Sequence, residues 1–325
     1  GVATRALLTS PTVVPDGKQK LALALSKKVE AANDVRVAQA KLGFDALPKI
    51  GRKGKVRSSE NIGRFEIEKL KLSNGVRVLL FANSAERNKI MVNARFGRGY
   101  RGLSADQKNL AWSGAMALMA SGVGKLGQEE LDKITTGRRI GLGFNIDDDA
   151  FEISADTRAA DLEDQLHLIA AKLEYPRWDA NPVLRGRAAS LIGYDSFSAS
   201  PQAVLQRDLE WLVRGKDPSW KTPDKEDFNQ LTAEKFKQFW EPILASGTVE
   251  LMLFGDFVRD EAVQSALKTF GAPKKRTLPD TPTVVTPTTF PVTEAGPEVL
   301  AHKAAQGTQG ALAARTAGGG MAGGG

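Results

Sequence analysis

Protein chemistry needs side chains that exchange protons, attack carbon or hold metals, and this sequence has few places where such groups could gather. It contains two histidines, His167 and His302, and no cysteine. Counting alone excludes a histidine-rich metal site, a thiolate nucleophile and a disulfide framework; a site with one histidine would need carboxylates for its other ligands. Two stretches do have motif-like spacing. Gly97, Gly99 and Gly102 spell G-x-G-x-x-G with Arg98 and Arg101 between them, the pattern by which a backbone cradles a dinucleotide pyrophosphate. Asp147, Asp148 and Asp149 stand in a row, a possible oxygen set for Ca²⁺ or Mg²⁺.

Each stretch also has a plainer reading, set by the elements around it. FEIEKLKL, starting at Phe65, alternates apolar and polar residues, Ser73-Asn74-Gly75 is a turn signal, and VRVLLFA follows; NSAERN then leads to IMVNARF. Three strands joined by short turns are expected to be largely antiparallel, with VRVLLFA and IMVNARF as a hairpin-like pair, whereas a dinucleotide fingerprint follows a strand of a parallel crossover unit. Ser104 is placed to cap a helix, so the glycines read as a turn into that helix. The three aspartates fall between GLGFNID and AFEISAD, a second hairpin, where aspartate is favoured by its own turn hydrogen bonds; the calcium-loop spacing with its terminal Glu is absent.

Farther along, ADLEDQLHLIAAKLEYP has a helical core stripe of Leu162, Leu166, Ile169 and Leu173, with His167 one residue off it, at a boundary position rather than a ligand position. A long helical pair is expected from Asn181 to Arg214, broken near Ser200-Pro201. Thr232 caps an amphipathic helix, GTVELMLFGDF is a strand, and VRDEAVQSALKTFG closes with a helix. Trp211, Trp220 and Trp240 are expected to be packing residues rather than a ligand cage. The fold class implied is α+β: a largely antiparallel sheet with helices packed on one face.

Three regions are expected. Residues 1–60 read as the end of a preceding domain, a helix over Lys18 to about Leu42, and a basic linker with Lys49, Arg52, Lys53, Lys55 and Arg57; residues 61–272 form the compact domain; residues 273–325 are a Pro/Thr-rich connector, the opening strand and turn of a next domain, and a Gly-rich tail. The linker has no interleaved aromatics to stack on bases and the net charge of +7 is modest for 325 residues, so no nucleic acid is expected as a partner. No apolar run approaches the roughly 20 residues that span a bilayer, so no membrane is expected either.

The stretch Asn109 to Ser121, NLAWSGAMALMAS, is apolar on every side and reads as a buried helix, with Trp112, Ala115, Met116 and Met119 at helical spacing. Its surroundings, from VRVLLFA and IMVNARF through FGRGYRGLS, GQEELDKITTGRR and GLGFNIDDDAFEISADT, resemble in order and wording a domain of the M16 (insulinase/pitrilysin-like) zinc metallopeptidases. In that family a His-x-x-Glu-His motif sits on the corresponding helix. The resemblance puts Trp112 at the first His, Ala115 at the Glu and Met116 at the second His, and puts the third ligand, a Glu, within VLRGRAASLIGYD, which has none. Zinc bound by two His one turn apart, with a Glu to take a proton from water, cannot be held by indole, methyl and thioether.

The resemblance therefore implies a non-catalytic, second-half domain that holds no cofactor itself. Zinc is expected in a catalytic M16-like partner half, in the same or another chain, with which this domain encloses peptide substrates. It also implies that the strand near Gly141 to Asp147 is a sheet edge able to pair with peptide backbone, which singles out Phe144 and Asn145 as substrate-binding candidates. A periplasmic location follows from the family alone. The alternative, from another class, is a stand-alone protein-interaction or scaffold domain of the same fold with no peptidase partner.

Overall fold

The computed structural model describes residues 13–26, 42–277, 298–304 and 307–313, with Leu7 and Thr9 isolated. It divides into Gly1–Lys41 and Leu42–Gly325. In the first unit, α1 (Gly17–Ser26) follows a turn in which Asp16 takes φ 57°. The rest of the helix expected there lies outside the described residues.

In the larger unit the strands β1 (Val56–Ile62), β2 (Ile67–Leu72), β3 (Arg77–Ala82), β4 (Ile90–Phe96), β5 (Gly143–Ile146), β6 (Phe151–Thr157) and β7 (Val249–Gly255) form one sheet in the order β1-β2-β3-β7-β4-β6-β5. Every neighbouring pair is antiparallel except β3 with β7. The described helices are α2 (Ala105–Ala111), α3 (Gln128–Thr135), α4 (Leu162–Glu174), α5 (Ala180–Ser196), α6 (Pro201–Val213), α7 (Lys225–Asn229), α8 (Ala233–Ala245) and α9 (Arg259–Lys268). The α+β class expected from the sequence is the class observed.

Alternation decides which face is dry. Leu70, Leu72, Val78, Leu80, Val92, Ala94, Phe96, Ile153, Leu251 and Leu253 are buried, while the residues between them stay partly or fully exposed. The buried face meets the core stripe of α4, where Leu162, Leu166, Ile169 and Leu173 are all covered, together with Phe236, Phe239 and Trp240 of α8 and Ala262, Val263 and Ala266 of α9. His167, half-buried beside that stripe, hydrogen-bonds through Nε2 to the Pro48 carbonyl at 2.8 Å, the boundary role expected of it.

Two expectations are corrected. β3 and β4 run in opposite directions but do not pair, because β7 lies between them. The link over residues 83–89 is too long for a tight hairpin, and its two ends clamp the end of β7: Asn83 N–H donates to Gly255 O and Asp256 N–H to Lys89 O. The segment read as a linker is also structured, since Leu47 and Ile50 are buried in the core and β1 extends the sheet beyond β2. All seven residues of β1 are exposed, so no apolar face marks it as a strand.

Beyond the connector, β8 (Glu298–Ala304) pairs antiparallel with β9 (Gly307–Ala313). Residues 278–297 and 314–325 lie outside the described residues.

Candidate functional site

The glycine run and the acidic run, far apart in sequence, meet. Gly97 and Gly99 take φ 66° and 59°, and a Cβ on Gly99 would stand 2.2 Å from Asp147 O. The backbone N–H groups that a phosphate would need are already committed: Tyr100 N–H donates to Asp147 O at 3.0 Å and Arg101 N–H to Asp148 O at 2.8 Å. The carboxylates are committed as well. Asp148 pairs with Arg101 (3.0 Å) and Arg214 (3.3 Å), and Asp149 with Arg95 (2.7 Å). Burial raises the Asp147 carboxyl pKa, and the neighbouring Glu152 raises it further, against the pull of Arg95. Both motif-like stretches are thus two halves of one loop-to-loop lock. Trp220 helps close it, with Arg214 3.5 Å above its ring and Tyr100 4.7 Å away.

The lock delivers the chain into α2, where the Gln107 side chain accepts from the Ser104 N–H. The helix does not continue regularly. Beyond Trp112 it widens into a π-helical turn over Gly114–Leu118, with Met119 N–H reaching back to Gly114 O. Gly114 has no room for a side chain, since a Cβ there would meet the Phe144 ring at 2.5 Å and Trp240 at 2.7 Å. Ser113, fully buried, donates to Leu110 O (2.6 Å) and accepts from Trp240 Nε1 (3.0 Å). The turn is therefore fixed between the β5 edge and α8.

This turn corrects the expectation of a helix buried all round. Ala117, Leu118 and Met119 face the core, but Ala115 is exposed and Met116 is 38% exposed. Trp112 is half-buried, edge-on to Phe228 at 4.8 Å, with its indole N–H buried and lacking an acceptor among the described residues. α5, which contains the stretch where the resemblance places a third ligand, packs against the same turn: Ser190 Oγ donates to Met116 Sδ at 3.2 Å, and Gly186 stands against Met116. Among the described residues, no three His, Cys, Asp or Glu side chains converge as a metal-binding group.

The far end of the turn is held by a residue that the sequence reading passed over. Lys172, from α4, is buried, and its ammonium donates to the carbonyls of Leu118, Met119 and Ser121. These carbonyls end a helix, where a cation is favoured, yet burial lowers the lysine pKa to about 8. The available signal was position: Lys172 follows buried Leu168 by four residues, so the dry face of α4 is wider than its leucine stripe.

β5 is the last strand of the sheet and pairs only with β6 among the described residues, which leaves its outer backbone edge open. Phe144 is half-buried, with its ring edge-on to Trp240 at 5.5 Å and stacked near Phe151 at 6.3 Å. Asn145 is exposed and donates to Asp147 Oδ1 at 3.0 Å. Open edge and π turn adjoin through Phe144 and Gly114.

No family model matches the sequence, and no curated protein does. Solved structures do match. The chain is similar to the periplasmic protease PqqL from Escherichia coli at 20% identity and TM-score 0.62, over 87% of this chain and 31% of that one. It is similar to a peptidase M16 inactive domain from Pseudomonas fluorescens at 19% identity and TM-score 0.52, over 66% and 52% respectively, and to pitrilysin at 16% identity and TM-score 0.53, over 73% and 26%. The chain thus spans less than a third of the length of PqqL and about half that of the inactive domain. Its fold, a seven-stranded, mostly antiparallel sheet backed by helices, is that of an M16 peptidase αβ domain.

Proposed function

We propose that this chain is a non-catalytic half or domain of an M16-like zinc metallopeptidase, pairing with a half that bears His-x-x-Glu-His to enclose and help bind peptides. The observation that carries this reading is the accessible face of the π turn. Ala115 and Met116 open outward beside α5, the arrangement a working site needs, yet the groups they and Trp112 offer are methyl, thioether and indole. Ser190 adds one hydroxyl. Zinc takes imidazole, thiolate or carboxylate, so these residues do not fit it, and the metal and the hydrolytic step belong to the partner half.

What remains useful to a peptide is the β5 edge, whose backbone groups can extend the sheet by one strand. Phe144 holds that strand to the core, and Asn145 is exposed on the open face of the sheet. The similarity to the periplasmic PqqL supports a periplasmic location. No described helix is long and apolar enough to cross a membrane.

The test is reconstitution. The chain alone should leave a quenched fluorescent peptide intact, and peptidase activity above that of the catalytic half alone should appear on mixing. Hydrolysis by this chain alone, or one zinc per chain surviving dialysis, overturns the reading.

A further inference from the structure

The open face of the sheet carries one row of residues that crosses all seven strands in register: Ser58, Lys71, Arg77, Glu250, Arg95, Glu152 and Asn145. From Arg77 to Glu152 the signs alternate, and each contact is an ion pair: Arg77 to Glu250 at 3.0 Å, Glu250 to Arg95 at 4.0 Å, and Arg95 to Glu152 at 3.0 Å. The alternation fails at one place. Lys71 stands directly opposite Arg77, and its other cross-strand neighbour is Ser58. Like charges directly opposite are destabilising unless a counter-charge sits between them.

A cavity of about 510 Å³ opens at that break, at the end of the sheet where the β2–β3 turn meets the start of β7 and the chain after α9. Lys71 and Arg77 line it together with Arg57, Lys274 and Lys275. Among the described residues no carboxylate lies within ion-pair distance of Arg57, Lys71, Lys274 or Lys275, whereas other cations on the wall are answered, Lys69 by Glu60 and Arg276 by Glu174. The wall is built into the fold. Asn74 Nδ2 donates to the carbonyls of Phe270 (2.8 Å) and Pro273 (3.2 Å), Gly54 N–H to Leu267 O, and Ser73 N–H to Lys55 O, which fixes both basic segments to the sheet end.

We propose that this cavity is a binding site for a small polyanion of the polyphosphate class, one anionic group of which lies between Lys71 and Arg77 and completes the charge row. Four unanswered cations exceed what a single carboxylate would satisfy, the volume is that of a small-molecule site, and lysine clusters with an arginine fork are suited to phosphate oxygens. The site does not depend on the peptidase reading, since it lies at the β2–β3 side of the sheet and uses none of the residues of the π turn.

The probe is inorganic triphosphate, titrated calorimetrically into the full chain at about 0.05 and 0.15 M salt, against Lys71→Glu and against Lys235→Glu, a change of equal charge on the exposed face of α8. The expected result is saturable one-to-one binding, unchanged in Lys235→Glu and weakened more than tenfold in Lys71→Glu, with the melting temperature of Lys71→Glu unchanged or raised because the variant supplies the missing acid internally. Absence of saturable binding, equal weakening in both variants, or binding of an Asp/Glu-rich peptide but not of triphosphate overturns the proposal.

Discussion

Residues 97–102 and 112–116 lie one helix apart and teach opposite lessons about reading chemistry from spacing. The first stretch has a nucleotide-like pattern, and its partner at residues 147–149 has a metal-like one, yet each donor and acceptor discussed is spent on the other loop or on an arginine. The second stretch has no chemical pattern at all, but it is the one that opens toward solvent between a sheet edge and α5. A backbone that must pack closely needs glycines as much as one that must hold phosphate does. Only the destination of the N–H groups separates the two cases.

The sharpest way to break this comparison is Gly99→Ala. Gly99 has φ 59° and ψ −159°, a region nearly reserved for glycine, and the new methyl would press on Asp147 O at 2.2 Å and Ala150 N at 2.5 Å. A loss of about 3 kcal/mol or more is expected, which for a domain of this size lowers the melting temperature by roughly 10 °C. A variant that melts like the parent but loses a bound nucleotide would make the first stretch a ligand loop after all. Gly114→Ala should follow at about 2 kcal/mol, since its methyl meets the Phe144 and Trp240 rings, which can shift slightly where backbone cannot.

How far the sequence went is visible in the same residues. The dry faces of the strands and the Leu162 to Leu173 stripe were legible because burial follows period 2 or 3.6 directly. The insertion of β7 between β3 and β4 was not, because nothing local in NSAERN says which strand will come back from more than 150 residues away to fill the gap. β1 was missed because an edge strand with no dry face has no alternation to read. The apolar run at 109–121 identified the helix but not its exposed side. That side depends on Gly114 yielding space to Phe144 and Trp240, a long-range fact.

Lys172 sharpens the contrast from the other end of the π turn. Lys172→Met keeps the bulk but removes the ammonium donor shared by three carbonyls, of which Leu118 O retains the Ser121 N–H, so a loss of about 1–3 kcal/mol is expected by denaturant unfolding. The pH dependence gives a separate check. The folded-state pKa of about 8 lies below the ordinary lysine value of 10.5, so between these values the unfolded chain binds more protons than the native one. Stability from this group therefore rises as pH climbs from about 8 toward 10.5 and is lost as pH falls through 8. The parent should gain on Lys172→Met over that window; a constant difference between the two would place the charge elsewhere.

The smallest effect should come from the residues that matter most to the functional reading. Ala115 is exposed, so Ala115→Glu is expected to change stability by no more than about 0.5 kcal/mol, although it restores the acid that the resemblance assigns to that position. Combining it with Trp112→His and Met116→His costs more, chiefly the edge-on packing of Trp112 on Phe228, and puts two imidazoles one turn apart on the open side. That triple variant should still fail to retain zinc through dialysis, because α5 sets Ser190 and Gly186 against position 116 while its one carboxylate, Asp195, is paired with Lys225, and the π turn does not hold positions 112 and 116 at regular helical spacing. Stoichiometric zinc in the triple variant would mean that the turn relaxes to a regular helix once ligands are present. The widened backbone would then follow from the side chains at positions 112, 115 and 116 rather than stand as a separate barrier to binding metal there.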